Sequence, residues 1–249
     1  MLQRKLQKKL KMSNYHIVIP ARLNSSRLER KLLIGIDGKA LIERTWDNSI
    51  KTAAKSVVVV TDSKEIFELI SSRGGNAFMS LSEHKSGTDR IAEYVQNSTI
   101  PQKDIIINVQ GDEPMFEPQT IDSFAEHIKA NNHDYGSVCK LPTSNGFLSD
   151  RNKVKVALDK HNYAIEFSRV EIKGHKNYHH VGVYAYTKSF LKIFTDLESS
   201  PLEVRRKLEQ LRAIENGFKI NLFEIDNCES FGIDTIEDLE KFKEYLNGK

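Results

Sequence analysis

Cysteine is scarce in this chain of 249 residues, and long apolar runs are absent from it. Cys139 and Cys228 form no Cys-x-x-Cys pair, so we expect two unpaired thiols and a reducing compartment. No apolar run has the length of a membrane-spanning helix, and no signal-peptide core follows the first residues, which predicts a cytoplasmic protein without stable membrane insertion. These absences exclude a disulfide-stapled scaffold and an integral membrane protein.

Two familiar glycine-rich phosphate loops are also missing. The sequence contains neither Gly-x-x-x-x-Gly-Lys-Ser/Thr nor Gly-x-Gly-x-x-Gly, which excludes the common P-loop and dinucleotide-binding fingerprints. Hydrophobic residues make up 39% of the chain and charged residues 29%, which indicates a folded protein rather than a disordered one.

Excess positive charge is confined to the N-terminus. Residues 1–12 contain five cations and no acid, whereas the whole chain has a net charge of only +3, so the remainder is mildly acidic. This distribution argues against nucleic acid as a partner. We interpret residues 1–12 as a basic N-terminal extension, either a frayed segment ahead of a start at Met12 or a short amphipathic helix that touches a membrane surface.

Apolar runs alternate with helix-period segments in the first half of the chain. Three runs rich in Val and Ile predict buried parallel strands: His16–Pro20, Ser56–Val60 and Asp104–Val109. Three stretches between them predict helices: Ala40–Thr52, Ser63–Arg73 and Thr88–Val95. This alternation predicts an α/β protein with a mostly parallel sheet flanked by helices, whose ligands bind beyond the carboxyl ends of the strands.

The second half mixes its elements differently. Strands are predicted over Tyr135–Leu141, Lys153–Leu158, His180–Tyr186 and Lys219–Ile225, and helices over Leu202–Glu215 and Thr235–Leu246. In the helix over Leu202–Glu215, we expect Val204, Leu208 and Leu211 on one apolar face. We therefore predict a single domain over residues 13–249 whose second half is a smaller mixed-sheet lobe.

The first predicted strand runs directly into a basic loop. Residues 20–31 read Pro-Ala-Arg-Leu-Asn-Ser-Ser-Arg-Leu-Glu-Arg-Lys, with four cations and two hydroxyls. A polyphosphate needs such donors, because its oxygens accept hydrogen bonds and its charge must be neutralised. On charge alone, a solvated basic loop is an equally good interpretation.

Two carboxylates stand at predicted turns. Asp112 follows the third strand on a glycine turn, and Asp234 precedes the last helix. One or two carboxylates together with substrate phosphates suit Mg²⁺, although Asp112 can serve as a turn residue and Asp234 as a helix cap.

Taken together, these segments resemble the CMP-Kdo synthetases, the cytidylyltransferases that activate 3-deoxy-manno-octulosonate (Kdo). The resemblance runs in order from about Ile17 to Leu246. It rests on residues 20–31, His84–Arg90, Asn108–Pro114, Val154–Val156, Tyr163–Ala164 with Phe167–Arg169, His180 with Gly182 and Tyr184, Ser200–Glu203, Leu208–Arg212 and Gly232–Thr235. It implies a nucleotide-diphospho-sugar transferase-like fold, with residues 13–130 mainly binding CTP and residues 131–249 mainly serving the sugar and dimerisation.

The resemblance also implies residue roles. CTP and a 2-keto-3-deoxy sugar acid give CMP-Kdo and pyrophosphate, with Mg²⁺ as cofactor, for lipopolysaccharide or capsule biosynthesis. Catalytic roles fall to Arg22, Lys31, Asp112 and Asp234, the last two as metal ligands. CTP-binding roles fall to Ala21, Arg22, Ser25, Ser26, Arg27, Lys31, Ser86, Gly87, Arg90, Gln110 and Gly111. Sugar-binding roles fall to Arg169, His180, Tyr184, Glu209 and Gln210. A homodimer is expected as well.

Three departures from the family pattern bear on the sugar. Glu29 and Arg30 replace a proline and a glycine, the segment between Arg169 and His180 lacks most of an insert, and the loop before Asp234 differs. CTP chemistry remains the expectation, while a modified acid such as 8-amino-Kdo stays open as substrate. A degenerate paralogue that binds nucleotide without turnover is the alternative outside enzymes.

Overall fold

A computed structural model describes residues 14–23, 28–81, 83–143, 146–226 and 232–248. Its strands are β1 (Tyr15–Ala21), β2 (Gly35–Ile36), β3 (Lys39–Ala40), β4 (Val57–Thr61), β5 (Asn76–Met79), β6 (Ile105–Asn108), β7 (Tyr135–Lys140), β8 (Lys155–Leu158), β9 (Ala164–Ser168), β10 (Tyr178–Thr187) and β11 (Asn221–Ile225). Its helices are α1 (Leu41–Ser49), α2 (Lys64–Ser72), α3 (Gly87–Gln96), α4 (Pro118–Ala130), α5 (Lys188–Asp196), α6 (Pro201–Arg206), α7 (Leu211–Glu215) and α8 (Ile236–Asn247), with a 3-10 turn at Lys31–Leu33. No helix within the described ranges is long and apolar enough to cross a membrane.

The first of two compact units comprises the described residues within Met1–Ile100, Ile106–Asp122 and Glu229–Lys249. Its strands lie in the order β6-β1-β4-β5, and the β1/β4 and β4/β5 pairs are parallel. Every residue of β1 is buried, as its run of Val and Ile predicts. The strands predicted over the three apolar runs are thus confirmed as β1, β4 and β6, and the helices predicted between them as α1, α2 and α3.

The second unit comprises Pro101–Ile105 and the described residues within Ser123–Cys228. Strand β7 pairs antiparallel with β10 and parallel with β11, while β8 pairs antiparallel with β9 and β10. The predicted mixed character of this half is therefore confirmed. Cys139, on β7, is buried and free, as expected, and burial raises the pKa of its thiol to about 12. Cys228 and residues 1–12 lie outside the described residues.

The single helix predicted over Leu202–Glu215 is wrong. The chain forms α6 and α7 instead, and Lys207 between them takes a left-handed conformation with φ 54°. The Arg212 guanidinium reaches back across this break to the Glu203 carboxylate, at 2.6 and 2.9 Å. Val204, expected on the apolar face, is 66% exposed. The pair between Arg212 and Glu203 thus joins the two short helices across the break, through charge-assisted hydrogen bonds.

Candidate active site

Three of the predicted catalytic residues meet in one ion cluster of the first unit. The Lys31 Nζ atom lies 2.5 Å from Asp112 Oδ2 and 2.8 Å from Asp234 Oδ1. Lys31 is buried, whereas the two carboxylates are partly exposed. One ammonium thus holds together two carboxylates that would otherwise repel each other.

Local capping explains why Asp234 is available to Lys31. Thr235, not Asp234, is the N-cap of α8, because its side chain accepts a hydrogen bond from the backbone N–H of Asp238. The Asp238 carboxylate in turn accepts hydrogen bonds from the backbone N–H groups of Asp234 and Thr235. Ile233 donates its N–H to the Asp112 carbonyl at 3.0 Å, which ties the two carboxylate-bearing turns together. The capping alternative for the Asp234 side chain is therefore not the one the structure adopts.

The neighbouring carboxylates keep Lys31 protonated. Burial alone would lower the pKa of Lys31, but the neighbouring carboxylates of Asp112 and Asp234 outweigh burial, and the pKa is raised. The Lys31 ammonium therefore carries its proton at neutral pH. Two carboxylates gathered around a cation are a donor set that also suits Mg²⁺, which takes one or two carboxylates and completes its shell with phosphate oxygens and water.

The backbone just before Lys31 is unusual. Arg30 is left-handed, with φ 49°. Only glycine adopts this conformation without a steric penalty, which for other residues is about 1–2 kcal/mol. The Arg30 guanidinium forms an exposed ion pair with Glu65 at 2.5 Å. The residue with the unfavourable backbone conformation therefore lies directly before the buried Lys31.

Glycines let three predicted nucleotide-binding segments approach one another. A side chain at Gly87 would come within 3.3 Å of the Pro20 ring, and one at Gly111 within 3.2 Å of the Pro20 carbonyl. Gly87 opens α3, whose N-cap is Ser86, and Gln110 lies 3.9 Å from the same added atom. The end of β1, the turn after β6 and the first turn of α3 therefore form one surface, which includes the predicted residues Ala21, Ser86 and Gly87 as well as Gln110 and Gly111.

Arg90, on the same helix as Gly87, is a second buried cation of the first unit. It is 4% exposed, and its Nη2 donates to the Asp62 carboxylate at 2.7 Å. Asp62 directly follows β4 and was not predicted from the sequence, although an acid just after a parallel strand is a usable signal. Arg22 is exposed, and Ser25, Ser26 and Arg27 lie outside the described residues.

In the second unit, two predicted sugar-binding residues are neighbours. The rings of His180 and Tyr184 are 5.5 Å apart, although β10 has an irregularity between Val181 and Tyr184. The His180 Nε2 atom lies 2.8 Å from the Ser137 hydroxyl, which itself donates to the Val183 carbonyl at 2.9 Å. Because the Ser137 hydroxyl donates its proton to Val183, the hydrogen bond between Ser137 and His180 is donated by His180 Nε2. Burial lowers the pKa of His180 to about 3.

The other predicted sugar-binding residues belong to other segments of the second unit. Gln210 is buried at the N-cap of α7, and Glu209 precedes it in the break between α6 and α7. Arg169 is exposed and lines a cavity of about 430 Å³ together with Arg151, Arg205 and Arg206. The residues lining this cavity do not include His180, Tyr184, Glu209 or Gln210.

Acid is expected to destabilise the protein through His180. Between pH 6.5 and about 3 the unfolded imidazole binds a proton that the folded one does not, so stability falls as the pH falls through this window. From pH 7 to 5.5 the wild type should lose about 1 kcal/mol more unfolding free energy than His180→Gln, which keeps a donor for Ser137. Urea unfolding at both pH values measures this difference. Equal losses in the two proteins would contradict a neutral, buried His180.

Comparison with known proteins identifies the family of this chain. Residues 16–220 match the family model described as "Cytidylyltransferase". The chain belongs to the cytidylyltransferase family. It is 38% identical to 3-deoxy-manno-octulosonate cytidylyltransferase of Francisella tularensis subsp. holarctica, over 95% of this chain and all of that one. The protein of the same name from Glaesserella parasuis is 34% identical, over 94% of this chain and 98% of that one.

Solved structures place this cytidylyltransferase in the expected fold. A CMP:2-keto-3-deoxy-manno-octonic acid synthetase complexed with CTP superimposes with a TM-score of 0.87 and 32% identity, over 95% of this chain and 99% of that one. A putative glucose-1-phosphate thymidylyltransferase from Bacillus anthracis, 13% identical, superimposes with a TM-score of 0.70 over 94% of this chain and 96% of that one. The predicted nucleotide-diphospho-sugar transferase-like fold is confirmed.

Proposed function

We propose that this protein couples CTP to Kdo, giving CMP-Kdo and pyrophosphate for lipopolysaccharide or capsule biosynthesis. The cluster of Lys31, Asp112 and Asp234 beside the Pro20, Gly87 and Gly111 surface carries the proposal, because it joins phosphate-binding and metal-binding groups in one unit. The names of the relatives support CTP and Kdo as the substrates. We further propose a cytoplasmic homodimer, as the resemblance implies.

The reaction replaces one bond at phosphorus with another. The anomeric hydroxyl of the sugar acid attacks the α-phosphorus of CTP and gives up its proton to solvent. A bond from the sugar oxygen to phosphorus forms, and the bond to the bridging oxygen breaks, so that pyrophosphate leaves. Catalysis of this kind is mostly positioning and charge stabilisation. Lys31 and Arg22 would neutralise the charge that builds on the departing phosphates, and Ser25, Ser26 and Arg27 would add donors to the triphosphate.

The two carboxylates fit Mg²⁺. Asp112 and Asp234 already converge on one cation, the Lys31 ammonium, and both are partly exposed. The described residues contain no group of three or more His, Cys, Asp or Glu side chains that could hold a metal ion. Asp112 and Asp234 would therefore hold Mg²⁺ together with phosphate oxygens. When bound, Mg²⁺ supplies charge stabilisation at the phosphate oxygens. Lys31 would exchange its carboxylate partners for the triphosphate.

The sugar side rests on His180, Tyr184, Glu209, Gln210 and Arg169. His180 keeps Nδ1 as an acceptor because its Nε2 donates to Ser137, and Tyr184 adds an aromatic wall. Glu209 and Gln210 can bind hydroxyls, and Arg169 can neutralise a carboxylate. The second candidate function is the same reaction on a modified acid such as 8-amino-Kdo. It is favoured by the short loop after Arg169, which Asn177 closes with hydrogen bonds to the Ile172 N–H and carbonyl, both at 2.9 Å.

Pyrophosphate release tests the proposal. The wild type is assayed with CTP and Mg²⁺ against Kdo, 8-amino-Kdo and N-acetylneuraminate in parallel. We expect release with Kdo and little with the other two acids. Release with another acid alone would keep the chemistry and change the substrate. No release with any acid, despite CTP binding, would instead favour a nucleotide-binding paralogue without turnover.

A further inference from the structure

Asp62 connects three parts of the proposed nucleotide surface. It directly follows β4, its Oδ2 accepts from Arg90 Nη2 at 2.7 Å, and its Oδ1 accepts from the backbone N–H of Leu23 at 3.4 Å. Leu23 belongs to the segment after β1, and Arg90 belongs to α3. The Asp62 carboxylate at the end of β4 therefore contacts both the segment that follows β1 and helix α3.

Arg90 has a donor left over. The residue is 4% exposed, and its Nη1 atom is buried without a hydrogen-bond partner among the described residues. A buried donor without an acceptor destabilises a folded protein, so such groups in proteins normally meet a ligand or water. A guanidinium can only donate, which means that the missing partner is an acceptor.

The location of Arg90 points to a nucleotide as the source of that acceptor. Arg90 lies one helical turn after Gly87, whose neighbours are the Pro20 ring and the Gln110 side chain. A pyrimidine presents carbonyl and ring-nitrogen acceptors along one edge. On that edge the N3 atom of cytosine accepts a hydrogen bond, whereas the N3–H of uracil donates one. A fixed donor can therefore distinguish the two bases.

We propose that Asp62 is a positioning residue for nucleotide selection: it fixes the Arg90 guanidinium so that Nη1 faces the acceptor edge of the pyrimidine. This inference rests on the proposed function, because it takes CTP as the ligand. The carboxylate also neutralises the buried Arg90 cation, whose removal from water would otherwise be costly. With Asp62 at 45% side-chain exposure, its replacement leaves little buried volume to refill.

The Asp62→Asn variant tests this role by calorimetry on the full chain. CTP and UTP are titrated separately in the presence of Mg²⁺ and without a sugar acid. We expect about tenfold weaker CTP binding and a smaller preference for CTP over UTP, because the charge-assisted bond that orients Arg90 is lost. Glu68→Gln is the matched control, since it makes the same change at an exposed carboxylate of the neighbouring α2 helix. It should bind both nucleotides like the wild type.

A double-mutant cycle separates positioning from general destabilisation. Arg90→Lys removes the guanidinium group that Asp62 orients. Adding Asp62→Asn to Arg90→Lys should therefore cause no further loss of CTP affinity. Full additivity of the two losses, or unchanged CTP affinity in Asp62→Asn, would overturn the inference. A lowered melting temperature with nucleotide preference intact would do so as well.

The steady-state constants provide a second readout. In Asp62→Asn the KM for CTP should rise while the KM for the sugar acid stays unchanged, whereas a general loss of structure would shift both. A wild type that binds CTP but releases no pyrophosphate with any acid would refute the proposed function and leave the calorimetric test valid. The two failures are therefore distinguishable.

Discussion

The Asp112→Asn variant is expected to release pyrophosphate from CTP about a thousandfold more slowly than the wild type, since several kcal/mol of transition-state stabilisation depend on the charge at this position. The substitution keeps the size of the side chain and removes its negative charge. Asp112 and Asp234 then no longer form a two-carboxylate donor set, and Lys31 keeps only one charged partner. The initial rate of pyrophosphate release at saturating CTP, Mg²⁺ and Kdo measures the effect.

A second active-site variant and a control variant test whether this effect is specific to the carboxylate pair. Asp234→Asn should lose a similar factor, and the double variant should be little worse than either single one, because both carboxylates serve one site. Glu117→Gln changes an exposed acid near the same turn and should leave the rate unchanged. A rate within tenfold of the wild type for Asp112→Asn would contradict the assigned role.

The Lys31→Met variant is expected to turn over about a hundredfold more slowly, because a charge that opposes the developing negative charge of the phosphates is lost. It should also respond more strongly to Mg²⁺. Without the ammonium between them, Asp112 and Asp234 repel each other, and a divalent cation relieves that repulsion without competition. The rise in melting temperature on adding Mg²⁺ should therefore be larger in Lys31→Met than in the wild type.

Lys39→Met is the matched control for that measurement. Lys39 also contacts a carboxylate at 2.5 Å, that of Asp47, but its side chain is 45% exposed. Its loss should affect neither turnover nor the Mg²⁺ response. If Lys31→Met gains no more from Mg²⁺ than the wild type does, the two carboxylates are not the metal site.

The strands of the first unit could be predicted from the local sequence. Continuous Val and Ile runs identify β1, β4 and β6 because a strand buried on both faces needs apolar residues at successive positions. Ligands bind beyond the carboxyl ends of parallel strands, and this rule predicts a binding site at Arg22 and Asp112. The cluster around Lys31 agrees with that expectation, even though Asp234 alone could have been a helix cap.

Other features depend on contacts between distant residues, which no local pattern encodes. The helical period of residues 202–215 favours a continuous helix. The structure instead has a left-handed residue at Lys207 and an ion pair between Arg212 and Glu203 across the break. The bond between Asp62 and Arg90 joins residues 28 positions apart. The sequence around either residue does not identify its partner, because the two meet only when α3 packs against β1 and β4.

The long separation between Lys31 and its second carboxylate affects how the protein is made. Asp234 follows Lys31 by 203 residues, yet both belong to the first compact unit. On a ribosome, β1, β4 and β6 emerge long before Asp234 does, and domains tend to fold as their residues appear. A nascent chain can thus gather most of the first unit's strands while the ion cluster still lacks one member. Translation stopped before Gly232 would yield a chain without the paired carboxylates, so the proposed catalytic centre is completed only near the end of synthesis.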